Sequence, residues 1–255
     1  LMKNFRSLFG TILIISALFL GCNSNDAGNS GGNGNEFSST QNVGDSANDF
    51  LSNSTYSSLI IEVDYVDGFQ PTQGALNNLR SFLQSRLNKT SVSISLDDEI
   101  PSPGNSPYSA QEAFDIEKEF RDTYTEGNTI AAYFLILDGQ FEQENVLGFA
   151  YFNTSMALLG GTIANNSGGF GQPSRETVET TVLQHEFGHI LGLVGNGTPT
   201  VQDHQDEANG AHCDVDSCLM YFAVRTSDFT SNLMGGNVPE LDAQCIQDLQ
   251  ANGGK

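Results

Sequence analysis

HEFGHILGL, residues 185–193, is the stretch on which the reading of this chain turns. On a helix, His185 and His189 stand one turn apart and can direct both imidazoles at one metal ion, with zinc the natural choice. Glu186 adjoins them on the same general side. A carboxylate there can take a proton from water activated by the ion and pass it to a leaving amine. Two neutral imidazoles leave the ion its positive charge, and a carboxylate is basic enough to work near neutral pH. The bland alternative is a pair of satisfied histidines on a partly buried helix face, and the neighbouring residues decide against it.

Upstream of the motif, Ser174 is placed to cap a helix, with Glu176 and Glu179 near its positive end and Val178, Val182 and Leu183 along its length. Downstream, Gly192 lies seven residues after His185 and lets the helix end in a sharp turn, so that a third ligand can come from the loop beyond.

Working outward, Ser58–Val66 (SLIIEVDYV) is β-rich, Gln73–Leu87 carries apolar residues at helical spacing, and Val92–Leu96 alternates as a strand does. A helix is predicted from about Ser109 to Tyr124. Ile130–Leu137 (IAAYFLIL) is apolar throughout, as expected of a central strand covered on both faces. Val146–Phe152 and Met156–Ile163 read as a strand pair, and a last helix is expected over Pro239–Leu249, with the proline in its first turn. The glycine-rich loop Asn165–Pro173 has no phosphate-loop lysine after it, which removes nucleotide binding. These elements predict an α+β fold whose N-terminal half is α/β-like: a twisted mixed sheet of about five strands packed on helices, with an active-site helix and a C-terminal helix.

Composition narrows the partners. With 31 Asp and Glu against 10 Lys and Arg, the formal charge is −21, which repels nucleic acid phosphates and anionic membrane surfaces alike. Cations are compatible with such a surface, although no specific calcium motif is present. Lys3 and Arg6 precede an apolar run, Leu8–Leu20, too short for a comfortable membrane span, so residues 1–22 read as an export signal. The run closes on Phe19-Leu20-Gly21-Cys22, which resembles a bacterial lipobox with Cys22 as the lipidated residue, although Leu20 stands where a small residue is usual. Residues 23–54, rich in Asn, Ser and Gly, are read as a flexible tether. The catalytic domain is assigned to 55–255.

The HEFGHILG pattern followed by Cys218-Leu219-Met220-Tyr221 resembles the metzincin clan of zinc peptidases, whose motif HExxHxxGxxH precedes a methionine-containing turn beneath the metal. The resemblance implies a metzincin-like fold, one catalytic zinc, Glu186 as the catalytic carboxylate, and Met220 as the packing floor of the ligands. It also implies that an extended substrate adds to an edge strand within Val146–Phe152. The clan's third histidine would fall at Gly195, so the ligand must come from further on, and of the chain's four histidines only His204 and His212 remain. His212 precedes Met220 by the spacing of the matrix-metalloprotease branch, which favours it, with His204 as the alternative third ligand. The run from His212 to Met220 also resembles the HCxxxxCxM piece of archaemetzincins. In that family the cysteines join a later CxxC to hold a second zinc, and no such CxxC follows here. The tyrosine role of astacin-like members is not carried over, because Phe222 occupies that place.

In an exported protein Cys213 and Cys218 can form a disulfide that staples the third-ligand loop, leaving Cys245 as a buried thiol on the last helix. Together these features predict an exported, monomeric zinc metalloendopeptidase acting on protein or peptide, lipid-anchored at the cell envelope with its membrane contact through the N-terminal lipid alone, or secreted if Cys22 is not lipidated. The competing functions are a catalytically silent zinc-bearing binding or adhesion module, and a zinc hydrolase of a non-peptide bond. Retention of Glu186 argues against the first, since a structural site needs no such base.

Overall fold

The computed structural model describes residues 37–222, 233 and 236–255. Its elements are α1 (Ala47–Leu51), β1 (Ser58–Val66), α2 (Gln73–Arg86), β2 (Ser91–Ile100), α3 (Ala110–Phe120), β3 (Thr129–Leu137), β4 (Gly148–Phe152), β5 (Ser155–Leu159), α4 (Gly160–Asn165), α5 (Arg175–Ile190) and α6 (Ala243–Ala251). The strands form one mixed sheet in the order β2-β1-β3-β5-β4, parallel except for the antiparallel edge strand β4. This is the expected mixed sheet of five strands on helices.

The apolar run of β3 is explained by what lies on each side. Ile130, Ala132, Phe134 and Ile136 enter a core that also holds Leu76, Leu79 and Leu83 of α2 and Val178, Val182 and Phe187 of α5. Tyr133, Leu135 and Leu137 point the other way, into a second core with Ala113 and Ile116 of α3. A strand whose alternate residues are all buried has no face left for polar side chains.

Caps fix where the helices begin. Thr72 accepts from the Ala75 N–H, Ser174 from the Thr177 N–H, and Ser109 forms a reciprocal capping box with Glu112. Glu179 does more than favour a helix dipole. Buried in α5, it accepts from both the backbone N–H and the hydroxyl of Thr72, at 2.8 and 2.7 Å, and from Arg175, which ties the start of α2 to α5.

Three expected boundaries are corrected. The strand predicted over Met156–Ile163 ends at Leu159, because the chain leaves the sheet at Gly160, where a Cβ would stand 2.9 Å from the Leu137 carbonyl oxygen, and continues as α4. The last helix starts at Ala243 rather than Pro239, since Asp242 provides its cap. The segment 37–54, read as the end of a tether, packs on the domain: Phe50 and Leu51 of α1 are fully buried, and Phe50 meets Phe187 edge to face at 5.7 Å. Buried Asn153 holds this segment, donating to Ser38 O and Ser46 Oγ and accepting from the Gln41 N–H. Lys89 donates to the carbonyls of Asp49, Ser52 and Tyr56 at the end of α1, and burial pulls its ammonium pKa down to about 8. Its polar composition conceals these contacts, because few of them are apolar. The signal segment, Cys22 and the first part of the tether lie outside the described residues.

Candidate metal centre

α5 is buried along nearly its whole length, and it carries Glu186 and His189 to the lining of a cleft beside the edge strand β4, with His185 buried beside them. Two glycines allow the approach. A Cβ at Gly148 would stand 2.6 Å from Val182 Cγ1 and 3.0 Å from Glu186 Cγ, so only glycine lets β4 run this close to the helix at Glu186. A Cβ at Gly188 would stand 2.3 Å from Met220 Sδ, which places the methionine directly against the histidine helix.

The helix ends as its sequence requires. The Leu193 N–H returns to Gly188 O and the Gly192 N–H to His189 O, the paired bonds of a Schellman motif, with Gly192 at φ +75°. The chain then makes a long excursion through Gly195 and His204 and comes back with His212.

His185, His189 and His212 come together: each offers a ligand atom, and these atoms lie within 4.8 Å of one another. The His212 ring stacks on that of His185 at 5.4 Å and meets that of His189 edge-on at 5.0 Å. His185 Nδ1 donates to the Leu219 carbonyl at 2.7 Å, and His212 Nδ1 donates to the Asn209 carbonyl at 2.8 Å. The side-chain amide nitrogen of Asn196 lies 3.0 Å from His189 Nδ1. Donation from Nδ1 in His185 and His212 makes Nε2 the nitrogen that would meet an ion.

The separation fits one as well. His185 Nε2 and His189 Nε2 are 3.2 Å apart, and two nitrogens bound to one tetrahedral zinc at ~2.05 Å stand about 3.3 Å apart. Three imidazoles with a carboxylate alongside make the donor set of an open zinc site rather than a closed structural one. The cleft, about 290 Å³, is lined by Gly148, Phe149 and Ala150 of β4 on one side and by Val43, Glu186, Asn196 and Ala211 around the histidines. Val43 and Asn196 are wall residues that sequence reasoning did not single out. Tyr221 packs against the main core and Phe222.

His204 goes elsewhere. Its Nε2 is 2.8 Å from Asp248 Oδ2 and its Nδ1 is 3.4 Å from Cys213 Sγ, all buried. Burial alone lowers the pKa of this imidazole, but its contacts with Cys213 and Asp248 outweigh that and leave it raised above the ordinary value. The disulfide expected between Cys213 and Cys218 is not formed: Cys213, Cys218 and Cys245 are free, buried thiols. Tertiary packing brings in Cys245, whose sulfur lies 3.6 Å from that of Cys218, so the last helix contributes to the same cluster. Hydrogen bonds from Cys213 and Cys245 hold the Cys218 thiol well below the usual range.

No family model matches the chain, and no curated protein does. Among solved structures the chain is similar to archaemetzincin from Methanopyrus kandleri, with a TM-score of 0.46 and 14% identity, covering 77% of this chain and 96% of that one. It is also similar to metalloproteinase-II from Bacteroides fragilis, with a TM-score of 0.44 and 13% identity, covering 78% of this chain and 54% of that one.

Proposed function

We propose that the protein is a zinc-dependent peptidase that cleaves extended polypeptide segments. The observation that carries this reading is the convergence of His185, His189 and His212 beside a cleft lined by Glu186 and the edge strand β4. Bound by these three histidines, zinc supplies Lewis-acid polarisation of the scissile carbonyl and lowers the pKa of water to about 7. The chain's own residues do the rest.

Leu219 O and Asn209 O hold His185 and His212 with the proton on Nδ1, and the Asn196 side chain orients the His189 ring. Glu186, one residue after His185, takes a proton from the attacking water on its carboxylate and returns it to the leaving amine. Among the described residues β4 is the edge strand of the sheet, so the backbone of Phe149–Tyr151 can pair with an extended substrate laid across the cleft. Such backbone pairing orients a peptide without demanding a particular sequence. We extend the reading to place: residues 1–22 direct export, and Cys22 carries the lipid that anchors the protein at the cell envelope.

Casein and peptide cleavage, measured with zinc content, tests the proposal. Glu186→Ala should keep its zinc while kcat falls by about 10²–10⁴. Equal activity in variant and wild type would sink the mechanism. For the anchor, Cys22→Ser should move the protein from the membrane fraction to the soluble one.

A further inference from the structure

A groove larger than the cleft beside β4 opens on the other side of α5. Its volume is about 690 Å³, and it is walled by α2, α5 and the non-helical stretch 236–241 that leads to α6. α2 contributes Asn78, Ser81, Phe82, Ser85 and Arg86, the i, i+3, i+4, i+7, i+8 stripe of one helix face, while its Leu76, Leu79 and Leu83 enter the core. α5 contributes Thr180 and Gln184. At about 100° per residue these stand about 200° round the helix from Val182 and Glu186. Those two face Gly148 and the cleft, so groove and cleft are separate.

Two opposite charges line the groove. Arg86 Nε is buried and finds no hydrogen-bond partner among the described residues, nor does any ion pair there join its guanidinium to an acid. Acids are not scarce, since the chain has 31 against 10 basic residues. A guanidinium N–H withdrawn from water without an acceptor is unfavourable, and a ligand carboxylate would satisfy it in a charge-assisted bond. Glu240, exposed, brings the other sign to the same groove.

Both residues are fixed from behind. Glu240 O accepts from the Leu219 N–H, and Arg86 O accepts from the Lys255 N–H, each at 2.8 Å. The two charges are thus presented from separate, anchored segments, and a ligand carrying one of each sign meets them without first ordering the backbone. The rest of the lining suits a peptide. Phe82, Val238 and Pro239 offer apolar surface, and the amide of buried Gln184, whose Nε2 donates to Asn78 O at 3.3 Å, sits at the base. From Asn78 to Arg86 α2 runs about 12 Å, the reach of three or four extended residues.

We propose that this groove binds short peptides, three or four residues long with both ends free, placing the C-terminal carboxylate on Arg86 and the N-terminal ammonium on Glu240. A simple anion leaves Glu240 unused, and a single amino acid falls short of the groove's length. Peptides with two free ends are what a peptidase releases, but the site rests on the groove's own chemistry and not on the reading given under Proposed function.

Isothermal titration of the whole protein with trialanine tests the site, with N-acetyl-trialanine and trialanine amide as the blocked forms. Glu186→Ala protein is run in parallel, so that cleavage cannot deplete the probe. Wild type should bind the free peptide and lose about ten-fold in affinity when either end is blocked. Arg86→Gln should bind the free and amidated peptides alike, and Glu240→Gln the free and acetylated ones alike. Arg86→Lys keeps the charge and should keep part of the discrimination against the amide, which separates a lost contact from a lost fold. Equal binding of all three forms by wild type, no binding at millimolar peptide, or full discrimination surviving in both Gln variants overturns the proposal. Absent casein cleavage with the end discrimination intact counts against the peptidase reading alone and supports the groove.

Discussion

His185 Nδ1 donates to the carbonyl oxygen of Leu219 across 2.7 Å, joining the histidine helix to the residue before Met220. The same two segments touch again one turn along, where Gly188 faces Met220 Sδ. The methionine turn therefore sets both the angle of the first imidazole and the packing beneath it. Gly188→Ala should displace fully buried Met220, costing about 1–3 kcal/mol of stability and weakening ion binding. Denaturant unfolding and a chelator competition measure the two effects, and an unperturbed alanine variant would show that the contact has no such role.

Asn196 holds the second imidazole from the far side of the helix-ending turn. Removing the amide should free the ring without removing a ligand. Asn196→Ala is expected to weaken zinc binding by about 10–100-fold, while His212→Ala should abolish binding at the three-histidine site. Direct titration against a chromophoric chelator gives both values. If the two variants behave alike, Asn196 is doing more than orienting His189.

The segment before β1 is part of the folded unit, and Gly44 tests that claim. It sits at φ +84°, and a Cβ there would stand 1.5 Å from the Asn196 carbonyl oxygen, a backbone atom. Gly44→Ala must both adopt a left-handed conformation and push Asn196 away, at a cost of more than about 2 kcal/mol. Because neighbouring Val43 lines the cleft, KM should rise as well. A chain starting at residue 55 would lose Phe50 and Leu51 from the core and should not fold, as circular dichroism would reveal.

A buried acid far from the cleft supplies a pH dependence. Asp64 on β1 accepts from Tyr133 Oη at 2.8 Å and from the Asp98 N–H at 3.0 Å, yet burial dominates and raises its pKa from 3.8 to about 6. The folded state therefore holds this proton more tightly than the unfolded chain. Its stabilising contribution is complete below pH 3.8 and is lost as pH rises through about 6. Asp64→Asn cannot ionise, so the stability difference between variant and wild type should shift in the variant's favour across that window, by on the order of 1 kcal/mol after solvent screening. Urea unfolding of both proteins at pH 4 and pH 7 tests it, and parallel curves would contradict it.

Local patterns were legible wherever one residue's neighbours along the chain are also its neighbours in space. The i, i+4 spacing of His185 and His189, the glycine that closes their helix and the doubly covered strand β3 are of this kind, and β1 spans the residues its composition predicts. The choice of His212 over His204 rested on a spacing borrowed from a resemblance, and the structure does bring His212 to the other two. What lay hidden were contacts between distant stretches: Asn153 with residues 38–46, Cys245 with Cys218, and Asp248 with His204. Cysteine counting misled because pairing by proximity along the chain ignores a partner that arrives on a helix 27 residues later.

The amino-acid order alone determined that a helix would present two imidazoles and a carboxylate to one point, since helical periodicity places them there whatever surrounds them. Only the tertiary structure decided which histidine completes the set and where the other one goes. An insertion without regular structure has no periodicity to read, and its course is set by the buried groups that receive it: Leu219 and Asn209 carbonyls for one pair of rings, Asp248 and the cysteine sulfurs for His204.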